Sequence, residues 1–196
     1  MDTSQAFLVI ALLRDGEFLD GIQETCFKHQ SEELYPRLLE LLGRHGLSSD
    51  DIGEMIITEG PGSYTGVRIA MTAAKVFCSL KEIPLYVLGS LQLIAGTNEH
   101  ARVLMDARGH RAYHALYENG ALIGNAEAKD VDEIRELVKE GETVLGDGHL
   151  IGLADVWPDL CRNFAALAMM ARPVEQIHLL TPEYLKPSEA YLVKAK

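Results

Sequence analysis

EGPGSYTGVR, at residues 59–68, joins a short apolar stretch to a long one. Residues 52–58 before it have the length and composition of a strand, and residues 66–82 after it have the length of a helix. Three glycines and a proline within seven positions allow backbone conformations and close approaches that other residues resist. The stretch predicts a strand, a tight turn and a helix, followed by a parallel strand at 84–88 after a right-handed crossover.

The turn itself has two interpretations. Backbone N–H groups at a helix start favour an anion or a docked partner, although no Lys-Ser or Lys-Thr follows the last glycine as it would in a Walker A loop. A plain strand-to-helix turn, with Ser63 or Thr65 as the N-cap, explains the same residues. Arg68 could likewise meet an anion or pair with Glu59. The candidate anion- or nucleotide-binding residues are Asp2, Gly60, Gly62, Ser63, Thr65, Gly66 and Arg68.

Composition narrows the class of protein. The 196 residues are 47% hydrophobic, which suits a globular chain with a sizeable core. Eighteen basic against 29 acidic residues give a net charge of −11, which is unfavourable for binding phosphate backbones directly. Three widely spaced cysteines indicate reduced thiols and a cytoplasmic protein. The early apolar run at 6–13 is too short to span a bilayer and follows no basic region, so we expect neither a membrane span nor a secretory signal.

Periodicity and turn residues place the other elements. An antiparallel hairpin is predicted at 6–12 and 18–25 around Asp15-Gly16, and a helix at 31–45 with Ser31 as its cap, Pro36 inside it and Gly46 after it. We place a boundary near 97–100. Beyond it we expect strands at 103–107, 111–117, 121–126 and 144–146, helices at 130–139 and 159–171, and an irregular tail. The chain is thus predicted to be α/β, with mixed sheets flanked by helices, an N-terminal lobe at 1–97 and a smaller lobe at 98–196.

The helix that follows the glycine turn is apolar around most of its circumference. Its two apolar stripes are Ile69, Ala73, Val76, Phe77 and Leu80, and Val67, Met71, Ala74 and Cys78. A surface helix normally keeps one side polar, so this one should be covered twice, by its own sheet and by something else. The second cover is either the helix at 31–45 of the same chain or a helix of another molecule.

Few residues form a catalytic or metal-binding pattern. His110 and His114 stand four apart, but on a predicted strand and without an obvious third ligand, so we expect no metal site. Asp2 and Asp106 each sit beside an apolar strand, where two carboxylates could hold a metal–nucleotide complex or could simply mark where a strand leaves the core. Asp147 has the context of a turn residue.

Several motifs, in order, resemble the TsaB family, also called YeaZ. They cover nearly the whole chain, and the glycine stretch is the specific one. The matching segments are Asp2-Thr3-Ser4, His29-Gln30-Ser31-Glu32, Gly60 to Ile69, Ile83-Pro84-Leu85, Gly89-Ser90-Leu91, Asp106-Ala107-Arg108, Pro182-Glu183-Tyr184-Leu185 and Pro187-Ser188-Glu189.

This resemblance implies an actin/sugar-kinase/Hsp70-like (ASKHA) fold of two related lobes and a non-catalytic role. TsaB is the small relative of TsaD, which carries its catalytic metal on a His-x-x-x-His motif. Ser90 and Ile94 stand here where those histidines would be, so the resemblance implies no transferase and no peptidase activity. Family members usually have a strand before Asp-Thr-Ser; because only Met1 precedes it here, we expect a shortened start, with an incomplete edge strand and nucleotide pocket at Asp2.

The family also implies partners. They are a TsaD-type catalytic subunit, a TsaE-type ATPase and, through the complex, tRNA, and TsaB alone can form a homodimer. No firm cofactor is expected, and the alternatives of an empty partner interface and one that holds ATP or ADP stay open. TsaB supports transfer of threonylcarbamoyl from its adenylate to the adenosine 3′ of the anticodon. The predicted partner-binding residues are Leu34, Leu38, Leu42, Ile69, Thr72, Ala73, Val76 and Phe77. The alternative is an ATP-dependent phosphotransferase of the same fold that uses Asp2 and the glycine turn.

Overall fold

A computed structural model describes residues 1–26 and 28–185 of the chain. It begins with the predicted antiparallel hairpin of β1 (Phe7–Arg14) and β2 (Glu17–Thr25). Asp15 and Gly16 both have positive φ, which is the backbone that a two-residue hairpin turn requires. The register shifts between Leu12 and Leu13, whose partners are Asp20 and Phe18, so Leu19 is the extra residue and the bulge lies in the second strand.

The first residues lie between this hairpin and the next strand. Asp2 exchanges backbone hydrogen bonds with Val9 of β1 at 2.9 and 3.0 Å, and the Met1 carbonyl accepts from the Thr58 N–H. The Met1 amino group donates to the Ile56 carbonyl at 2.6 Å. Met1 and Asp2 therefore bond to both β1 and the strand that contains Ile56 and Thr58, at the position where the sequence predicted an incomplete edge strand.

The first helix, α1 (Gln30–Arg44), starts one residue earlier than predicted. Ser31 lies in its first turn rather than at the cap, because the buried Gln30 side chain donates to the Gln5 carbonyl at 2.9 Å and fixes the start of the helix there. The helix continues through Pro36, and Gly46 follows its end with φ of 65°.

The predicted β–α–β unit is confirmed. Strands β3 (Met55–Thr58) and β4 (Leu85–Leu88) are parallel and joined by α2 (Tyr64–Lys81). The sequence did not predict the third strand of this sheet, β9 (Arg172–Pro173), which pairs antiparallel with β4.

A short helix, α3 (Ser90–Ala95), leads into a second mixed sheet. The elements that follow in chain order are β5 (Ala101–Asp106), β6 (Arg111–Glu118), β7 (Ala121–Asp130), α4 (Val131–Leu137) and β8 (Val144–Gly146). The strand order in the sheet is β7-β6-β5-β8. β5 pairs parallel with β8 and antiparallel with β6. β7 runs four residues beyond the strand predicted at 121–126. α4 ends earlier than the helix predicted at 130–139, because Val138 has an extended backbone.

The C-terminal part returns to the N-terminal strands. α5 (Leu160–Leu167) is capped by Asp159 and packs on β1 and β2, where the Cys161 thiol donates to the Ile10 and Ile22 carbonyls. It is shorter than predicted, since 168–170 form a 3₁₀ turn that leads into β9. One core cluster contains Val9 and Leu88 together with Val103 and Phe164. The division into lobes at 97/98 remains a prediction, and α5 and β9 from its second part pack on the first.

The three cysteines are buried free thiols, as predicted. Among the described residues, the helices are too short or too polar to cross a bilayer. The Pro187-Ser188-Glu189 motif lies outside the described residues.

Candidate partner-binding surface

The glycine turn is packed against the chain's own N-terminal segment. A Cβ on Gly62 would lie 2.5 Å from the Ser4 carbonyl oxygen, and one on Gly66 would lie 2.1 Å from that of Thr3. Ser63 donates its N–H to the Ser4 carbonyl at 2.7 Å. Close approach of one backbone to another is what requires glycine here, so the structure favours a structural turn.

Thr3 ties this segment to the first turn of α2. Its hydroxyl donates to the Gly66 carbonyl at 2.6 Å and accepts from the Ala70 N–H at 3.1 Å. Ser63 is the N-cap, accepting from the Gly66 N–H at 3.3 Å, which confirms one of the two predicted caps. Thr65 is exposed beside it.

Asp2 faces the interior. Its carboxylate is fully buried and accepts from the Ser4 N–H, the Gln5 amide and the Thr58 hydroxyl. Three donors stabilise the charged carboxylate without an external cation. The position links β1, β3 and the glycine turn, and does not favour binding of a nucleotide by Asp2.

Gly60 packs against the C-terminal segment, and Arg68 contacts a tyrosine of its own helix. A Cβ on Gly60 would lie 2.5 Å from the Glu183 carbonyl oxygen. Arg68 donates to the Tyr64 hydroxyl at 2.9 Å and lies 5.2 Å from the centre of that ring. Glu59 pairs with Arg172 at 2.7 Å, so the alternative pairing of Arg68 with Glu59 is not the one formed.

An open apolar groove runs between α1 and α2. Buried residues of α2, among them Met71 and Cys78, fill the core beneath. The other face of α2 lines a groove of about 520 Å³ together with the N-terminal half of α1. Its lining residues are Ser31, Leu34, Tyr35, Tyr64, Thr65, Arg68, Ile69, Thr72, Ala73 and Val76. The first helix therefore covers α2 in part and leaves an apolar strip exposed.

The predicted partner-binding residues divide into floor and surface. Leu38 and Leu42 are buried in the core beneath α1, whereas Leu34 is buried at the floor of the groove. Ile69, Thr72, Ala73 and Val76 line the groove, with Val76 50% exposed. Phe77 is half-buried against the core.

Sequence reasoning missed two exposed apolar side chains on α1. Tyr35 lines the groove and is 47% exposed, and Leu39 is 58% exposed. Each follows a core leucine by one position, so the helical period places them beside the buried stripe rather than on it. A large apolar residue directly after each core leucine of α1 is the sequence pattern that could have predicted this exposed surface.

Two groups of His and Asp side chains lie elsewhere in the fold, each with potential ligand atoms within 4.8 Å of one another. One is His110 with Asp130 and Asp132, and the other is Asp147 with His149 and Asp155. Arg135 also donates to Asp132, which opposes a cation in the first group. Burial raises the pKa of Asp147, which accepts the Asp106 N–H. His114 lies apart, buried against Arg102, and the absence of a metal site remains a prediction.

These features define a mixed α/β protein with an exposed apolar groove between two helices and a glycine turn filled by its own chain. A family model described as TsaD, tRNA N6-adenosine threonylcarbamoyltransferase, matches residues 22–188. The TsaB protein of Bacillus subtilis is 29% identical over 97% of this chain and 94% of its own length. The TsaB protein of Escherichia coli is 30% identical over 82% of this chain and 73% of its own length.

A solved structure from Pseudomonas aeruginosa, described as similar to peptidase YEAZ, superposes with a TM-score of 0.78 at 22% identity. It covers 94% of this chain and 97% of its own. A structure called YeaZ from the same organism gives a TM-score of 0.73 with the same coverage. The chain belongs to the TsaB (YeaZ) family, as its motifs predicted.

Proposed function

We propose that this chain is a non-catalytic accessory subunit in the formation of threonylcarbamoyladenosine on tRNA. It supports transfer of threonylcarbamoyl from its adenylate to N6 of the adenosine 3′ of the anticodon, a reaction carried out by a TsaD-type subunit. The fold we propose is of the ASKHA type, with lobes at 1–97 and 98–196. Its relatives are named as threonylcarbamoyladenosine biosynthesis proteins, which supports placing the chain in this pathway.

The observation that carries the proposal is the groove between α1 and α2. A helix pair that leaves Tyr35, Ile69 and Val76 in contact with solvent has the composition of a protein-binding surface. Apolar and aromatic side chains buried at the centre of an interface supply most of its binding energy. We propose that helices of the TsaD-type subunit cover this strip, and that a second copy covers it when the chain is alone.

The position equivalent to the metal motif supports a non-catalytic role. Ser90 is the first residue of α3 and Ile94 lies in the same helix, and both are buried in the core. An isoleucine offers no ligand atom, and a lone serine hydroxyl is a poor ligand for a transition metal. We propose that catalysis belongs to the partner.

The charge of the chain supports an indirect role in tRNA binding. With a net charge of −11, this subunit would repel a phosphate backbone. We propose that the basic surface belongs to the partner, that a TsaE-type ATPase joins the complex, and that assembly takes place in the cytoplasm.

A nucleotide, if bound, would lie at the partner interface rather than at Asp2. That carboxylate already accepts three hydrogen bonds inside the fold. Magnesium-dependent binding of ATP by the isolated chain is the measurement that would favour the phosphotransferase alternative. Calorimetric titration with ATP and Mg²⁺ is expected to give no heat of binding at micromolar protein.

The main test is light scattering on a size-exclusion column, with the chain alone and then mixed with the TsaD-type subunit of its own organism. We expect a stoichiometric complex, formed at the expense of any homodimer. Val76→Glu places a charge in the groove and should abolish the complex and reduce threonylcarbamoyladenosine formation. Leu122→Glu is the matched control, since Leu122 is 44% exposed on β7, away from both helices. A Val76→Glu chain that still forms the complex would refute this surface assignment.

A further inference from the structure

The groove between α1 and α2 carries a positive charge at one end. Within the described chain, Arg68 is the one charged residue among those that line the groove, and its side chain is exposed. It follows Tyr64, the first residue of α2, by four positions, and so lies on the same face of the helix. The sequence singled out this arginine as a candidate for contact with an anion, and the proposed docking of a partner does not yet give its charge a role.

Two tyrosines hold the Arg68 guanidinium in place. Arg68 donates to the Tyr64 hydroxyl at 2.9 Å, and its guanidinium carbon lies 5.2 Å from the centre of the Tyr64 ring. Tyr184 stacks on Tyr64, with ring centroids 5.5 Å apart and an angle of 19° between the planes. A hydrogen bond with the Tyr184 hydroxyl raises the pKa of Arg68, so the guanidinium stays charged. The charge is thus fixed in position before a partner binds, which lowers the entropy cost of using it in an interface.

The position of Tyr184 is fixed in turn by the segment that precedes it. The Glu183 N–H donates to the Glu59 carbonyl at 2.7 Å. Lys75, on α2, donates to the Leu180 carbonyl at 2.9 Å. Both contacts hold the segment against α2 and the glycine turn, so the two stacked rings form a rigid support for the guanidinium.

Among the residues that the structure describes, no carboxylate forms an ion pair with Arg68. Glu59, the acid that the sequence offered as its partner, pairs with Arg172 at 2.7 Å. A helix that covers the groove would remove water from the guanidinium, and a buried charge without a counter-charge is strongly unfavourable. The two tyrosine hydroxyls are neutral and do not compensate for the lost water. The molecule that covers the groove must therefore bring an anion to Arg68.

We propose that the helix of the TsaD-type subunit that covers the groove carries an aspartate or glutamate, and that this carboxylate pairs with Arg68. The inference rests on the proposed function and specifies the chemistry of the partner, because aspartate and glutamate are the side chains that are anionic near neutral pH. The planar guanidinium matches a carboxylate in a two-bond geometry, which fixes the direction and register of the covering helix. A second copy that covers the groove would meet the same requirement with one of its own carboxylates.

The test measures affinity for the TsaD-type subunit by titration calorimetry, without added nucleotide. Arg68→Met keeps the length of the side chain and removes its charge, and Arg68→Lys keeps the charge without the planar fork. Arg162→Met is the matched control, since Arg162 is also an exposed arginine above an aromatic ring, 4.8 Å from the centre of Phe18, and does not line the groove. We expect Arg68→Met to weaken binding about tenfold or more, Arg68→Lys to weaken it less, and Arg162→Met to leave it unchanged.

Charge reversal tests the sign of the partner's group. Arg68→Glu should abolish the complex, and lysine in place of one acidic residue of the TsaD-type subunit should restore binding to Arg68→Glu. If no such replacement restores binding, or if Arg68→Met binds as tightly as the unmodified chain, the proposal is overturned. An effect of Arg68→Met that appears only with added ADP would assign the anion to a phosphate group and would also overturn it.

The proposed function and this inference fail in different ways. If the unmodified chain forms no complex with the TsaD-type subunit, the proposed function is refuted and the ion pair with it. If the unmodified chain, Arg162→Met and Arg68→Met all bind equally well, the accessory role stands and only the ion pair is refuted.

Discussion

At Gly66 the chain has no room for a side chain. Its Cβ would meet the Thr3 carbonyl at 2.1 Å, and moving that carbonyl would disturb both hydrogen bonds of the Thr3 hydroxyl. We expect Gly66→Ala to lower the free energy of unfolding by about 1–3 kcal/mol through overpacking. The measurement is urea denaturation followed by circular dichroism.

Gly43 provides the control for this substitution. It lies in α1, and among the described residues no heavy atom would come within 4 Å of its Cβ. Gly43→Ala should raise stability by about 0.5–1 kcal/mol, because alanine has the higher helix propensity. Equal effects of the two substitutions would contradict the account of the glycine turn.

His114 makes stability depend on pH. Burial, with Arg102 and Lys129 nearby, lowers its pKa from 6.5 to about 4. The unfolded chain therefore binds a proton between these values that the folded chain does not, and stability falls as pH drops from 6.5 towards 4. In His114→Gln, the thermal midpoint should fall less steeply across this window.

The control for pH is His110, which is exposed and hydrogen-bonded to Asp132. That bond raises the pKa of His110, so its contribution to stability is present at low pH and is lost as pH rises. His110→Gln should leave the steep fall below pH 6.5 in place. A His114→Gln chain that is as acid-sensitive as the unmodified one would assign the effect to other groups.

At the scale of elements, α1 carries two kinds of side chain: some are buried in the core, and others are exposed in the groove where a partner would bind. Leu42 is 1% exposed in the core, whereas Tyr35 is 47% exposed in the groove. Leu42→Ala should cost about 2–5 kcal/mol of stability through the cavity it leaves. Tyr35→Ala should change stability by less than about 0.5 kcal/mol, yet weaken the partner complex at least tenfold. The free energy of unfolding is measured by denaturation, and the affinity for the partner by titration calorimetry, on both variants. Loss of stability in Tyr35→Ala and not in Leu42→Ala would contradict the roles given to these two residues.

The sequence predicted the elements better than their faces. Periodicity identified both apolar stripes of α2, but not which one the sheet would bury, because stripes of similar composition are equivalent until a fold is specified. The start of α1 was wrong by one residue, since Gln30 is fixed by a bond to Gln5, which no local pattern encodes. The two residues of β9 pair with a strand more than eighty positions away and were missed for the same reason.

At the scale of the molecule, the core crosses the predicted lobe boundary. Phe164 packs in one cluster with Val9, Leu88 and Val103, which come from both sides of residue 97. We expect a single unfolding transition, with Trp157 fluorescence and far-ultraviolet circular dichroism coinciding. Phe164→Ala should lower the free energy of unfolding by about 3–5 kcal/mol and shift both signals together. Two separate transitions would show that the lobes unfold independently.

The packing of α5 and β9 on the N-terminal part of the fold has a consequence for synthesis on the ribosome. The hairpin, α1 and α2 are translated well before residues 160–173, which pack on β1 and β2 and complete the sheet beside β4. Chains are made from the N-terminus, and an incomplete core exposes apolar surface while translation continues. In a nascent chain, α1 and α2 would therefore lie on a core that still lacks α5 and β9. We expect stable assembly with a partner only after translation is complete.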